Sequence, residues 1–316
     1  NQVSTVFGNL LSAETNDDMQ ELAKNIMPLL SEHGNNITLN EKLFARIKAV
    51  YDQKDQANLT PEQSKLLEKV YNSFVRSGAN LEGEAKEQYR ALSKELSLLT
   101  LQFGENNLKE TNDYKLVLTD PTQLAGLPQS AIDAAAETAK EKGVEGWVFT
   151  LQAPSYSPFM TYASNRDLRC KLYMAYNTKC THDNETNNLE IVKKLVNTRL
   201  AIAQLLGYSS FAEYNLQERM AENSGNVYKL LDQLLDAYTP TAKQEYAEVE
   251  ALARQLEGSD FTVMPWDWSY YSHKLKDQKF QIDDEMLRPY FELSKVKEGV
   301  FGCLLYTSPS PRDGAT

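Results

Sequence analysis

The sequence has 316 residues, 41% hydrophobic and 24% charged, with a formal net charge of −11. That is chain enough for one large domain or two ordinary ones with a substantial core. The acidic balance excludes an extended nucleic-acid surface, which needs clustered Lys and Arg, and no apolar run reaches the length of a membrane span. The three cysteines, Cys170, Cys180 and Cys303, supply neither a disulfide framework nor paired metal-ligand spacing. Asn1 is not an initiator Met, so the sequence is expected to begin inside a longer one. Cytoplasm is the default compartment, with a periplasmic or exported location as the alternative.

In chain order, the first clear signal is "SEHGNN", read as the last turn of a helix with His33 just before Gly34. "TPEQSKLLEKVYNSFVRSG" then carries a full set of helix punctuation: Thr60 as N-cap, Pro61 at the first helical position, Gln63 completing a capping box and Gly78 as the stop. The next helix presents Tyr89, Leu92, Leu96, Leu99 and Phe103 as one apolar stripe, with Lys86, Arg90 and Lys94 on the wet side. "DYKLVLTD" alternates, setting Tyr114, Leu116 and Leu118 against Lys115 and Val117, and "WVFTLQ" (147–152) is rich in aromatic and β-branched residues. With a helical "PQSAIDAAAETAKEKG" between them, these read as two strands of a small sheet set into a helical body. Val192, Leu195, Val196, Ala203 and Leu206 mark another amphipathic helix, and Val227, Leu230, Leu231, Leu234, Leu235 and Tyr238 a further one. These stripes are expected to bury against each other. The fold class is mainly α with a two-stranded β insertion.

Residues that could carry chemistry are few. The three histidines are His33, His182 and His273. His33 suits a helix C-terminus. His182, in "THDNET", has Asp183 and Glu185 nearby, but adjacent residues rarely wrap one ion, and the segment reads as a polar loop leading into a helix. His273 has no carboxylate at ligand spacing. No G-x-S-x-G, phosphate-cradling glycine loop or H-E-x-x-H occurs, so no catalytic or metal-ligating residue is assigned. "VMPWDWSYYSHKL" stands out, because Trp266, Trp268, Tyr270 and Tyr271 crowd around Asp267. Such aromatics serve either as core packing or as the wall of a cleft for an extended ligand.

Several segments carry a family resemblance. "LSAETNDDMQELAKNIMPLLSEHGNNITLNEKLFARIKAVYDQKD", "FVRSGANL", "LSLLTLQFGENNLKETNDYKLVL", "FMTYASNRDLRCKLYMAYNTKC", "LLGYSSFAEYNLQERMA", "PWDWSYYSHKL" and "LRPYFEL" follow one another collinearly from about Ser12 to Phe301. Together they resemble the peptidyl-dipeptidases (dipeptidyl carboxypeptidases) of the thimet oligopeptidase and neurolysin family. The resemblance implies a nearly all-helical zinc metallopeptidase, two halves enclosing a channel for short, unstructured peptides. In that family an H-E-x-x-H helix and a later Glu hold the zinc, and the Glu within the motif takes a proton from the zinc-bound water. That helix is not among these residues. The piece is therefore expected to be a neurolysin-like helical half-channel, inactive and without catalytic zinc, whose partner is the missing C-terminal half. Trp266, Trp268, Tyr270 and Tyr271 are the candidates for the channel wall.

The ending "CLLYTSPSPRDGAT" departs from this pattern. Pro309 and Pro311 would break any helix, and the stretch resembles the conceptual translation of a transposon-end sequencing adapter. Residues 303–316 are accordingly expected to be a non-native tail, with a natural disordered tail as the other reading, which leaves 1–302 as the helical portion. The rival to the peptidase reading is a self-contained, non-catalytic helical scaffold or peptide-binding module. A large exposed apolar surface distinguishes the severed half from the complete module.

Overall fold

The computed structural model describes residues 2–281 and 284–307. In chain order the elements are α1 (Gln2–Ala13), α2 (Asp17–Thr38), α3 (Glu41–Asp52), α4 (Pro61–Arg76), α5 (Gly83–Asp113) and β1 (Leu116–Leu118). There follow α6 (Gln129–Glu141), β2 (Trp147–Phe149), α7 (Ala153–Tyr162), α8 (Arg166–Asn177), α9 (Leu189–Leu205) and α10 (Phe211–Leu216). The series ends with α11 (Ser224–Glu257), α12 (Trp268–Phe280), α13 (Asp284–Leu287) and α14 (Leu293–Thr307). The mainly helical class with a small sheet is therefore what the chain adopts. The chain divides into two compact units, residues 1–113 with 178–238 and residues 114–177 with 239–316. The division falls inside α11.

In the first unit, α4 begins and ends as its sequence dictates. The Thr60 hydroxyl accepts from the Gln63 N–H at 3.3 Å, and the Gln63 side chain accepts in return from the Thr60 N–H at 3.0 Å. At the other end Gly78 takes φ +83°, so that Ala79 N–H reaches the Phe74 carbonyl and Gly78 N–H the Val75 carbonyl, both at 3.0 Å. This is a Schellman closure, which needs the left-handed residue that glycine supplies. Against α4, Phe44 of α3 stacks on Tyr71 and Phe74. Leu99 of α5 packs with Ile191 and Leu195 of α9.

Several expectations for this unit need correction. His33 is not at a helix end, because α2 runs on through Gly34 to Thr38. One glycine costs a helix only about 1 kcal/mol, too little to stop one that has a packing face. Lys86 does not lie on the wet side. It is 7% exposed, with its ammonium 2.8 Å from Glu41 at the start of α3, so the long aliphatic stem is buried while the charge finds a partner. Phe103, at the end of the α5 stripe, is exposed. So are Val192 and Val196 on α9 and the whole run Leu230, Leu231, Leu234, Leu235 and Tyr238 on α11, the last five between 38% and 66%. Periodicity gave these helices an apolar face correctly, but among the described residues nothing covers it.

The loop between α8 and α9 is fastened to the last turns of α5. Glu110 accepts from the Cys180 N–H at 2.6 Å and from the Thr186 hydroxyl at 3.1 Å, while Asn188 bonds Asn106 and the Phe103 carbonyl. Cys180 is buried with φ +58°, held there by this network. All three cysteines are free.

The second unit is built around the sheet. β1 and β2 pair antiparallel with Leu116 opposite Phe149, Val117 opposite Val148 and Leu118 opposite Trp147. Leu116 and Leu118 face inward and Val117 outward, as their alternation requires. Both strands are shorter than the sequence suggested: β2 stops at Phe149, and Gln152, the last residue of "WVFTLQ", is the N-cap of α7. Gly146, at φ +95°, leads into β2 where a Cβ would come within 2.1 Å of the Leu118 carbonyl oxygen. No other residue fits there. Phe149, Phe159, Leu172 and Ala163 complete the core beneath the sheet. At the far end α14 continues to Thr307; Pro309 and Pro311, the expected breakers, lie outside the described residues.

Burial, reinforced by the neighbouring Glu110 carboxylate, pushes the Cys180 thiol up to about 11. At pH 8 it is expected to alkylate with iodoacetamide at least ~100-fold more slowly than exposed Cys303, because the thiolate is the nucleophile. Time-resolved peptide mass spectrometry of the native chain checks this, and comparable rates at the two residues would contradict the packing described here.

Candidate functional site

The aromatic segment owes its conformation to a buried carboxylate. Asp267 sits in the short turn Pro265–Asp267 ahead of α12 and is 0% exposed. A lone carboxylate there would cost several kcal/mol, yet this one accepts five hydrogen bonds from four donor groups. Arg166 reaches Oδ2 through Nη2 at 2.7 Å and both oxygens through Nε at 3.1 Å. Arg169 reaches Oδ1 through Nη2 at 2.9 Å, and the Met264 N–H closes on Oδ2 at 3.0 Å. Burial alone would raise the carboxyl pKa, but the hydrogen bonds from Arg166, the Met264 N–H and Arg169 outweigh it and hold the group below its ordinary value.

Arg169 is itself buried and spends its remaining donors on backbone. Nη1 donates to the Ala163 and Ser164 carbonyls and Nε to that of Trp266. Its guanidinium lies 4.1 Å from the centre of the Tyr270 ring, and that of Arg166 lies 4.3 Å from Phe261. The spacing "RDLR" places the two arginines one turn apart on α8, on the face that meets Asp267. Sequence reading passed over both. A carboxylate flanked by two tryptophans was the available signal, because a residue in such company is buried and must be paired.

With Asp267 fixed, the four aromatic candidates fall into different surroundings. Tyr270 and Tyr271 are buried and pack with Val249, Ala253 and Val263. The Tyr271 hydroxyl donates to Glu257 at 3.0 Å; desolvation, then that bond, raises its pKa. Trp266 is half-buried, edge-on to Tyr173. Trp268 is 39% exposed and stacks at 5.7 Å on Tyr246 of α11, with an interplanar angle of 8°. The two tyrosines thus serve packing, and Trp268 is the member of the group that offers an open ring face.

Residues 159–305 match peptidase family M3. Along 95% of its length the chain is 33% identical to dipeptidyl carboxypeptidase and 34% identical to oligopeptidase A, both of Escherichia coli (strain K12). It is 26% identical over 92% of its length to saccharolysin of Saccharomyces cerevisiae. The chain is similar to members of peptidase family M3. It spans 44% and 45% of the two bacterial relatives and 41% of the yeast one.

Family M3 peptidases use zinc, which makes the histidines worth placing. His33 is exposed on α2, His182 has one carboxylate within reach, Glu110 at 3.7 Å, and His273 packs edge-on against Tyr162. Among the described residues no group of three or more His, Cys, Asp and Glu is arranged to hold a metal. These residues do not fit a catalytic zinc.

Asp267→Ala is expected to destabilise the chain by about 3–5 kcal/mol, since it leaves two guanidinium groups without their anion. The depressed pKa sets the sign of the pH dependence. The contribution of Asp267 is complete above the unfolded carboxylate value of about 3.9 and fades as pH falls through the lower folded value. Urea unfolding of both proteins between pH 3 and 6 measures this. A difference that stayed constant or grew toward acid would contradict it.

Proposed function

We propose that the chain forms part of the housing of an oligopeptidase, a wall of the channel that admits short, unstructured peptides. The residues that hold zinc and cleave the bond would then belong to the remainder of a polypeptide of the relatives' length. The observation that carries this reading is the bare apolar face of α11, from Leu230 to Tyr238, which a self-contained scaffold would not leave to water. On α14, Val296, Val300 and Phe301 are bare in the same way. A second peptidase portion covering these faces accounts for both.

Within the proposed wall, Trp268 is the exposed member, stacked on Tyr246, while Trp266 is half-buried and Tyr270 and Tyr271 are buried. Release of C-terminal dipeptides is the activity we favour, on the collinear segments that resemble the peptidyl-dipeptidases; internal cleavage is the other outcome, since the identities to the two bacterial relatives, 33% and 34%, do not separate them. No helix among the described residues is long and apolar enough to cross a membrane, and the cytoplasm is the compartment we propose. Residues 303–316 are proposed to be a non-native tail with no part in the function; of these, 308–316 lie outside the described residues.

The chain alone is expected to show no chelator-sensitive release from a peptide carrying a C-terminal dipeptide reporter. Supplied in trans with the portion of E. coli oligopeptidase A beyond the aligned region, it is expected to gain zinc-dependent turnover. Robust chelator-sensitive turnover by the unassisted chain would overturn the reading.

A further inference from the structure

The second half of α11 and the outer face of α12 border a groove of about 370 Å3 that packing alone does not explain. One side carries Glu245, Glu248 and Val249, and the other Trp268, Ser272, Leu275, Lys276, Lys279 and Phe280. On α12 these residues recur every three or four positions, so they form one continuous face about three turns long. At 1.5 Å per residue that face spans roughly 17 Å, the reach of about five residues of extended peptide. Its volume falls in the ~300–1,000 Å3 range of small-ligand sites.

Three features point to a ligand rather than to a covering helix. The Ser272 hydroxyl is shielded from water yet has no hydrogen-bond partner, and a buried hydroxyl left unsatisfied is a net cost to the fold. Trp268, one turn earlier, shows an open ring face already steadied from behind by Tyr246. The rim is charged, with Glu248 and Lys279 paired to each other. Protein–protein cores are depleted of such charges, and the face formed by Leu230, Leu231, Leu234, Leu235 and Tyr238 is apolar, with Asp232 and Asp236 lying between those residues in sequence. A floor of Val249, Leu275 and the Trp268 ring, with one orphan hydroxyl among charged edges, matches an apolar side chain carried on a polar main chain.

We propose that this groove is a subsite for an extended peptide, in which an apolar side chain lies against Trp268 and a neighbouring main-chain amide bonds Ser272. The proposal deepens the oligopeptidase reading by assigning one subsite and its preference, and it rests on that reading for the nature of the ligand. Phe280, exposed, borders the same groove.

The test uses the full 316-residue chain and two acetylated, amidated alanine pentapeptides, one with a central 4-fluorophenylalanine and one with a central alanine. Fluorine NMR follows the first directly, and the second competes against it. Saturable binding is expected, with the alanine peptide at least ~10-fold weaker, because burying a phenyl group stabilises by about 1.5–3 kcal/mol. Ser272→Ala and Phe280→Ala should each weaken binding by about 5-fold, and Trp268→Ala should abolish it. Ser272→Ala and Phe280→Ala keep the question answerable if Trp268→Ala unfolds, and thermal melts of all three check for this. Leu234→Ser, on the bare face of α11, should leave binding unchanged. No binding at millimolar peptide overturns the subsite, as does binding indifferent to all three groove variants or lost in Leu234→Ser. None of these results bears on whether the unassisted chain turns over a reporter, which is the measurement that decides the oligopeptidase reading.

Discussion

Asp267 and the two arginines that clasp it constrain the second unit more tightly than any apolar contact does. Arg169 has no solvent to fall back on, so each of its donors must meet an acceptor, and those acceptors come from the end of α7, the turn before α12 and Asp267 itself. A set of apolar side chains of the same volume would hold these segments together with less desolvation cost. It would not dictate which residue faces which, whereas the planar guanidinium fork does. The consequence is read out along α12. Once its first turn is fixed, Tyr270 and Tyr271 must point into the core, and Trp268 and Ser272 must point away from it.

That division explains why the aromatic cluster was ambiguous on paper. Four large rings in six positions cannot all lie on one face of a helix, so "wall" and "core" were both correct for different members. Composition could not sort them, because the sorting agent is a pair of arginines about a hundred residues earlier in the chain. Local signals fared better. Thr60, Gln63 and Gly78 set the bounds of α4 through bonds that span only a few residues, and the alternation around Leu116 and Leu118 fixed the inward face of β1. Lys86 was misplaced for the same reason that Asp267 was underrated. A charged residue is assigned to water until its partner is known, and Glu41 is 45 positions away.

The bare stripes on α9, α11 and α14 show a different limit. A 3.6-residue period reports that one face of a helix avoids water; it does not report what that face meets. Assuming that neighbouring stripes cover one another is reasonable for a small bundle. It failed here, where Leu230, Leu231, Leu234 and Leu235 stay exposed. The failure is informative, because large side chains left so open lose the burial energy that their sequence pattern is built to gain.

Along α11 the character of the exposed residues changes within three turns, and the change is chemical. From Leu230 to Tyr238 the exposed large side chains are apolar, which suits permanent cover by another folded surface. Around Glu245 and Glu248 carboxylates border the groove itself, one of them already paired with Lys279, and a dry permanent interface would have to desolvate them. A surface that must bind and release cannot be as apolar as one that is closed for good, since the first spends its unbound life in water. Charged edges around a small apolar floor meet that requirement: they keep the groove hydrated when empty, and they surrender little when a short peptide lies between them.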